Sequence, residues 1–308
     1  MNSPLNLDSN CWMHGTKPPY KSYWIDAIVL TAVMCAIVYV TYRVNTVLVY
    51  NWDWSFLPGY VFRWDEKEQT FLPNLLIKGL LTTIRLAVWS ILLASVLGLI
   101  MGIMRTSRRL FPRMLSRLYV ELIRNVPPIV FIFVFYFFIS SQISPLLGLE
   151  NISQDSSPVL LSALEFMFGP PELLSNVISG IICLALFEGA YVTEIVRSGI
   201  QSVSRGQTEA GMSIGLTKLQ LMRYVTLPQA FKRVIPPLAN QFIILIKDSS
   251  ILSLISIQEL TFLTIEVANS TQRVFEVWIF VAGVYLVICY ACALVFQHME
   301  KRLAAYHT

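Results

Sequence analysis

The sequence predicts an all-α integral membrane protein with about six transmembrane helices. Of its 308 residues, 55% are hydrophobic and only 14% are charged, and the mean hydropathy is +0.61. Soluble domains contain about 25% charged residues, so this composition lies outside their usual range. Apolar runs of roughly 20 residues, the length that crosses the hydrocarbon core of a bilayer, recur along the chain.

Six of these runs are candidate membrane spans, and they divide the chain into four predicted regions. The runs lie near 25–42, 84–104, 127–147, 174–195, 234–257 and 277–296. Residues 1–23 are polar and are expected to form a flexible tail. Residues 24–71 hold the first span and an aromatic loop, 72–300 form one membrane core, and 301–308 form a second tail.

Basic residues predict the orientation of the chain, because cytoplasmic loops collect lysine and arginine. The loop after the second run carries Arg105, Arg108, Arg109, Arg113, Arg117 and Arg124. The loop after the fourth run carries Arg205, Lys218, Arg223, Lys232 and Arg233. The segment after the third run has acids and no bases. Both basic loops, and with them both termini, are therefore expected in the cytoplasm.

The loop between the first two runs is rich in aromatic residues, including Trp52, Trp54 and Trp64. Tryptophans beside a membrane span usually anchor it at the membrane–water boundary. Docking of a partner outside the cytoplasm is the alternative, and both roles stay open for this loop.

The second basic loop, residues 205–230, carries a spaced motif. It consists of Glu209, Ala210, Gly211, Gly215, Leu227 and Pro228. The pattern predicts two short amphipathic helices, 209–214 and 216–225, with Gly215 between them in a left-handed turn and Pro228 ending the second. A side chain at Gly215 is expected to clash in this turn.

This motif resembles the EAA loop of bacterial ATP-binding-cassette (ABC) importer permeases. The family pattern is Glu-Ala-Ala, three residues, Gly, nine residues, Ile, one residue and Leu-Pro. Every spacing is kept here, with Gly211 and Val225 as the two departures. Three further segments resemble the subfamily for histidine, glutamate, glutamine, arginine and opines. They are YVELIRNVP at 119–127, AYVTEIVR at 190–197 and LIKDSSI at 245–251.

The resemblance covers roughly residues 72–300 and implies a type I importer permease in the bacterial inner membrane, with residues 43–71 in the periplasm. Such a chain is a translocation subunit and not an enzyme. It pairs with a second permease, identical or related, with two ATPase subunits that bind ATP and Mg²⁺, and with a periplasmic substrate-binding protein. The six motif residues of the coupling loop (residues 205–230) would dock on the ATPase. The chain contains no G-x-x-x-x-G-K-[ST] phosphate loop, so no cofactor is expected in it.

Ionisable residues inside the spans are candidates for the substrate pathway, since each costs about 2.5–3.5 kcal/mol on insertion scales. Glu188 either lines a cavity and pairs with the ammonium group or basic side chain of an amino acid, or makes a buried helix-to-helix hydrogen bond through a protonated carboxyl group. Lys247 and Asp248 lie about 100° apart on a helix, beside Ser249, and would form a polar wall or a structural ion pair. Asn125 stands where the subfamily usually has glycine, which leaves the substrate preference open.

Two pairs at i,i+3 spacing are candidate ion pairs for gating or stability. Glu194 and Arg197 form one pair, and Glu121 and Arg124 form the other. Both pairs lie near the predicted cytoplasmic ends of their segments.

Other classes of membrane protein fit less well. A polytopic enzyme needs clustered chemical groups, but the three histidines, His14, His298 and His307, lie near the termini, and neither a catalytic nor a metal site is predicted. An ion-coupled carrier would be expected to show inverted repeats or broken helices and would leave the coupling loop unexplained. A permease for another small solute remains the nearest alternative.

Overall fold

A computed structural model of the chain describes residues 23–47, 50–67, 69–142 and 157–305. Residues 1–22 and 306–308 of the predicted tails lie outside these ranges, as does the end of the third apolar run. The chain divides into two compact units, Met1–Trp52 and Asp53–Thr308.

The first unit contains one long helix, α1 (Tyr23–Val47). Its apolar side chains, from Trp24 to Tyr42, are exposed within the unit. A helix of 25 residues is about 37 Å long, enough to cross a hydrocarbon core of roughly 30 Å. A helix that is apolar on all sides suits contact with lipid, in agreement with the span predicted at 25–42.

The described residues of the second unit are mainly helical and include one β-hairpin. Its regular helices are α2 (Leu57–Val61), α3 (Leu75–Thr106), α4 (Leu110–Arg124), α5 (Pro128–Val134), α6 (Pro158–Phe168), α7 (Leu174–Gln201), α8 (Arg205–Ser213), α9 (Lys218–Leu221), α10 (Leu227–Asp248), α11 (Leu260–Thr271) and α12 (Val274–Ala305). Short π-helical segments follow α5 (Phe135–Ser140) and α9 (Met222–Thr226), and 3-10 segments precede α7 (Pro171–Leu173) and follow α10 (Ser249–Ile255).

Among the residues that the structure describes, five helical stretches are long and apolar enough to cross a membrane. They are Trp24–Val44, Leu75–Thr106, Pro171–Gln201, Lys218–Ile255 and Val274–Arg302. They correspond to the first, second, fourth, fifth and sixth apolar runs, and each is longer than its run. The sequence therefore identified these spans correctly but underestimated the length of each, because the helices extend beyond the apolar stretch.

The third run is part of a bent pair of helices. Helix α4 and the stretch Pro128–Ser140 meet at 108°, and Pro127 and Pro128 lie at the bend. Proline lacks an N–H donor, and the residue before a proline avoids the helical conformation, which explains the break. The described part of the chain reaches six spans if this bent pair counts as one.

Helices α3 and α7 pack closely together in the core of the second unit. Gly98 and Gly102, a G-x-x-x-G pair, face α7. A methyl group on Gly98 would lie 2.5 Å from Val192 Cγ1, and one on Gly102 would lie 2.6 Å from Val196 Cγ1. The two glycines therefore allow an approach that alanine would prevent.

The segment 53–73 packs onto the membrane helices of the second unit. Strands β1 (Phe62–Asp65) and β2 (Thr70–Pro73) pair antiparallel, with Trp64 opposite Phe71. Leu57 of α2 lies in one apolar cluster with residues of α3, α11 and α12. The backbone N–H of Asp53 donates to Glu276 Oε1 at 3.0 Å. Hydrogen bonds from Ser55 hold the pKa of Asp53 below its usual value, so this carboxylate stays charged near neutral pH.

Candidate functional site

The coupling loop folds into two short helices around Gly215. Gly215 has φ +85°, as the sequence predicted, and no atom lies within 4 Å of a Cβ built there. Its N–H donates to Met212 O at 3.0 Å, and the N–H of Leu216 donates to Gly211 O at 3.1 Å. These two bonds define a Schellman motif. The expected clash at Gly215 was wrong, since the backbone conformation and not a lack of space favours glycine.

Both helices of the loop differ in extent from the prediction. The first, α8, begins at Arg205, four residues earlier than expected. The second, α9, begins with a capping box: Thr217 Oγ1 accepts from Gln220 N at 3.4 Å, and the Thr217 N–H donates to Gln220 Oε1 at 2.9 Å. Pro228 was expected to end this helix, but it lies in the first turn of α10, where its missing N–H costs nothing. The π-helical segment therefore carries the helix on into the membrane span.

The motif residues of the loop divide into a buried and an exposed group. Gly211 is buried, and a methyl group on it would lie 2.4 Å from Leu221 Cδ1, so the two helices touch at this point. Glu209, Ala210 and Pro228 are exposed, and Leu227 is half-buried. Four large apolar side chains of the loop are also exposed, namely Met212, Ile214, Leu219 and Tyr224.

Charged residues hold the base of the loop. Glu194 forms ion pairs with two arginines. Arg105 Nε lies 2.9 Å from its Oε1, and Arg197 Nε lies 2.7 Å from its Oε2. The second of these contacts is the predicted i,i+3 pair. Arg233 of α10 donates through Nη1 to the carbonyl oxygen of Ser202, just after α7. We call this contact the neck of the coupling loop, because it joins the two chain segments that enter and leave the loop.

The predicted pair of Glu121 and Arg124 does not form. Glu121 Oε1 instead lies 2.6 Å from Arg117 Nε, one turn earlier on α4. The Arg124 guanidinium lies over the ring of Tyr191, 5.2 Å from its centroid. Arg124 ends α4 beside α7, and a cation over an aromatic face is favourable there, so tertiary packing overrides the intrahelical spacing.

The acidic residue in the fourth span is fully buried between helices. Glu188 Oε2 accepts a hydrogen bond from Gln241 Nε2, which joins α7 to α10. The carboxyl group of Asp248 is its ionisable neighbour, and Glu188 Oε1 has no donor among the described residues. The structure thus shows a helix-to-helix hydrogen bond at Glu188, in which the carboxyl group is the acceptor.

Of the other pathway candidates, Lys247 lies near enough for its charge to act on the Asp248 carboxyl group, but it faces other surroundings. Lys247 is exposed and lines a separate cavity of ≈ 290 Å³ together with Ser250, Thr261 and Tyr285. Ser249 is buried, and its hydroxyl donates to its own helix, at Ile246 O. Asn125 is exposed at the end of α4. Among the described residues, no group of three or more His, Cys, Asp or Glu side chains is placed to hold a metal ion.

Comparison with known proteins identifies the family. The model described as "Binding-protein-dependent transport system inner membrane component" matches residues 94–305. The chain belongs to this family. It is therefore a multi-pass component of an inner-membrane transport system, and the match contains α4 to α12 with the whole coupling loop.

Individual relatives of this permease are named as amino acid transporters. The probable glutamine ABC transporter permease of Bacillus subtilis is 38% identical over 68% of this chain and 83% of its own length. The L-cystine transport system permease of Bacillus subtilis is 34% identical over 80% and 94% of the two chains. A solved amino acid ABC transporter with histidines is 30% identical, with a TM-score of 0.59 over 74% and 94% of the chains. The resemblance to permeases of the polar amino acid type is thus confirmed.

The permease also buries acids that sequence reasoning missed. Glu259 accepts from the N–H of Phe262 at 2.8 Å and from the hydroxyl of Tyr285 at 3.2 Å. It caps the N-terminus of α11, where a carboxylate is favourable. Glu276 accepts a hydrogen bond from the backbone N–H of Asp53. The sequence did contain a signal for these two residues: each acid lies next to the start of an apolar segment, which is typical of a helix N-terminus.

Proposed function

We propose that this permease is the translocation subunit of an ABC importer that moves polar amino acids into the cytoplasm by alternating access. The observation that carries the proposal is the coupling loop, whose motif spacing and two-helix fold lie inside a family match to binding-protein-dependent transport components. The names of the glutamine and cystine relatives support an amino acid as the substrate.

The exposed surface of the coupling loop would dock on a separate ATPase subunit. Exposed apolar groups in a compact element are typical of a protein interface, and Ile214 and Leu219 are each 78% exposed. The Schellman motif, the capping box and the Gly211–Leu221 contact hold the two helices together. Movement of the ATPase on binding ATP would therefore shift the loop as one body and, through the helical path from α9 into α10, tilt a membrane span.

The expected partner subunits can be inferred from the presence of one coupling loop in each permease chain. A dimeric ATPase offers two docking sites, so a second permease, identical or homologous, would complete the complex. ATP and Mg²⁺ would be held by the ATPase subunits, and a periplasmic binding protein would deliver the substrate. Arginine is in excess at the end of the membrane helices that carries the coupling loop. This supports a cytoplasmic position for that end of the helices and for both termini.

Glu188, which is buried, and Asp248, which is half-buried, would form part of the substrate path. Glu188 and Asp248 lie on α7 and α10, and Glu188 Oε1 lacks a donor among the described residues. An ammonium group supplies the donors and the positive charge that this oxygen lacks. This geometry supports a role for Glu188 in binding the amino group of the substrate when the path opens. Lys247, Ser249 and Asn125 would not take part in that contact.

Purification in mild detergent tests the proposal. The chain would be tagged at its C-terminus, isolated from its native membrane and examined by mass spectrometry for bound proteins. Recovery of an ATPase with a phosphate-loop motif is the expected result, and the presence or absence of a second permease distinguishes a heterodimer from a homodimer. Recovery of this chain alone, under conditions where other ABC complexes survive, would overturn the assignment.

A further inference from the structure

The neck of the coupling loop borders a cavity of ≈ 540 Å³. Three helices contribute charged side chains to its wall, and serine hydroxyl groups add hydrogen-bonding capacity. The lining residues used below are Arg124, Glu194, Arg197, Ser198, Ser202 and Arg233.

The charges around this cavity are not balanced. Glu194 is the acid in the lining, and both of its oxygens already face arginines, Arg105 and Arg197. Within the described ranges, neither Arg124 nor Arg233 has a carboxylate within 4.0 Å. The lining therefore holds three guanidinium groups and one carboxylate, and Arg124 and Arg233 have no acid to offset their charges.

A phosphate group supplies what the cavity lacks. Guanidinium groups bind phosphate oxygens in a planar, two-pronged geometry, and positive charges that line one cavity are stabilised by a shared anion. Basic pockets between membrane helices are suited to the headgroups of anionic lipids. The Ser198 hydroxyl can donate to the same oxygens, whereas the Ser202 hydroxyl already donates to Gly199 O at 2.7 Å.

We propose that the cavity lined by Arg124, Arg197 and Arg233 binds a phosphate group, carried by an anionic lipid headgroup or free in solution. The three arginines come from α4, α7 and α10, so one bound anion links all three helices. It does so beside the contact of Arg233 with Ser202, where the coupling loop joins the bundle. Bound phosphate therefore stabilises the neck. The binding step does not depend on whether the loop docks on an ATPase.

Thermal unfolding of the full chain in phosphatidylcholine nanodiscs, followed by tryptophan fluorescence, tests this site in two arms. In the first, sodium phosphate is titrated against sodium chloride at equal ionic strength. In the second, phosphatidylglycerol replaces part of the phosphatidylcholine without added phosphate. In at least one arm the unfolding temperature is expected to rise saturably, by about 3 °C at roughly ten times the dissociation constant.

The double variant Arg124→Gln/Arg233→Gln should lose this rise. The matched control is Arg108→Gln/Arg113→Gln, which removes two exposed arginines, one between α3 and α4 and one in the first turn of α4, and should keep the rise. A response to free phosphate identifies a solution-accessible site, and a response to phosphatidylglycerol alone identifies a headgroup site. No rise in either arm, or an equal rise in the Arg124/Arg233 variant, would overturn the proposal. The two single variants replace the double variant if it does not fold.

Discussion

Gln241 donates a hydrogen bond to Glu188 across the interface of α7 and α10, and both side chains are buried. This bond uses one carboxylate oxygen and leaves the other without a donor among the described residues. A single acid thus both joins two membrane helices and keeps one oxygen available, and substitution can separate these two roles.

Glu188→Gln should reduce transport without loosening the helices. Glutamine keeps an oxygen that accepts from Gln241 but removes the charge that would pair with the substrate ammonium group. A charged hydrogen bond of about 1.5–3 kcal/mol corresponds to a fall in uptake of roughly tenfold or more. The measurement is ATP-driven uptake of labelled amino acid in proteoliposomes of the full complex. Unchanged uptake kinetics would leave Glu188 with a structural role alone.

Gln241→Ala, unlike Glu188→Gln, should lower the stability of the helix packing. It removes the donor to Glu188 and leaves a buried carboxyl group without that partner, at a cost of about 1–3 kcal/mol. The unfolding temperature in detergent should fall clearly, whereas that of Glu188→Gln should stay near the wild-type value. Equal unfolding temperatures for Gln241→Ala and wild type would show that the bond adds nothing to helix packing.

Gly215→Val should weaken docking of the ATPase. Its φ of +85° costs an ordinary residue about 1–2 kcal/mol, and a β-branched residue is a poor fit there. We expect recovery of the ATPase with the tagged permease to fall about tenfold, with normal membrane insertion. Gly215→Asn is the matched control, because asparagine tolerates left-handed backbone. If valine and asparagine give equal recovery, backbone conformation at Gly215 does not matter for docking.

Gly98→Ala should destabilise the packing of α3 against α7. The added methyl group would lie 2.5 Å from Val192 Cγ1 and 3.0 Å from the backbone nitrogen of Thr193, so the helices must separate. Overpacking of this kind costs about 1–3 kcal/mol, which corresponds to a fall in unfolding temperature of roughly 3–10 °C. Gly283→Ala on α12 is the control, since nothing lies within 4 Å of its added methyl group. Similar unfolding temperatures for the two variants would contradict the close approach.

Glu194→Gln should lower stability more than Glu121→Gln does. The side chain of Glu194 is 17% exposed and bridges two arginines, whereas that of Glu121 is 50% exposed and has one partner. Loss of a hydrogen-bonded charge near several cations costs more than loss of an exposed pair, which solvent and salt already screen. Unfolding temperatures at low and high salt would measure the difference. An equal, salt-dependent loss in both variants would place Glu194 in the same class as a surface pair.

Local pattern was enough to predict much of this permease. The apolar runs identified five spans and the apolar part of the bent pair, because a bilayer demands long, nearly uniform hydrophobic stretches. The left-handed turn at Gly215 and the pair of Glu194 with Arg197 were also predicted correctly. Each depends on residues within one or two helical turns, so short-range spacing decides it.

The tertiary structure alone decided which side chains meet across helices. Arg105 reaches Glu194, Gln241 reaches Glu188 over 53 positions, and Arg124 turns toward Tyr191 and leaves Glu121 to another arginine. The distance between two helices and their rotation about their axes come from the packing of the whole bundle, with contacts such as Gly98 against α7. A sequence read segment by segment contains the periodicity of each helix but not these relative positions, so the partners of its charged residues were fixed only by the fold.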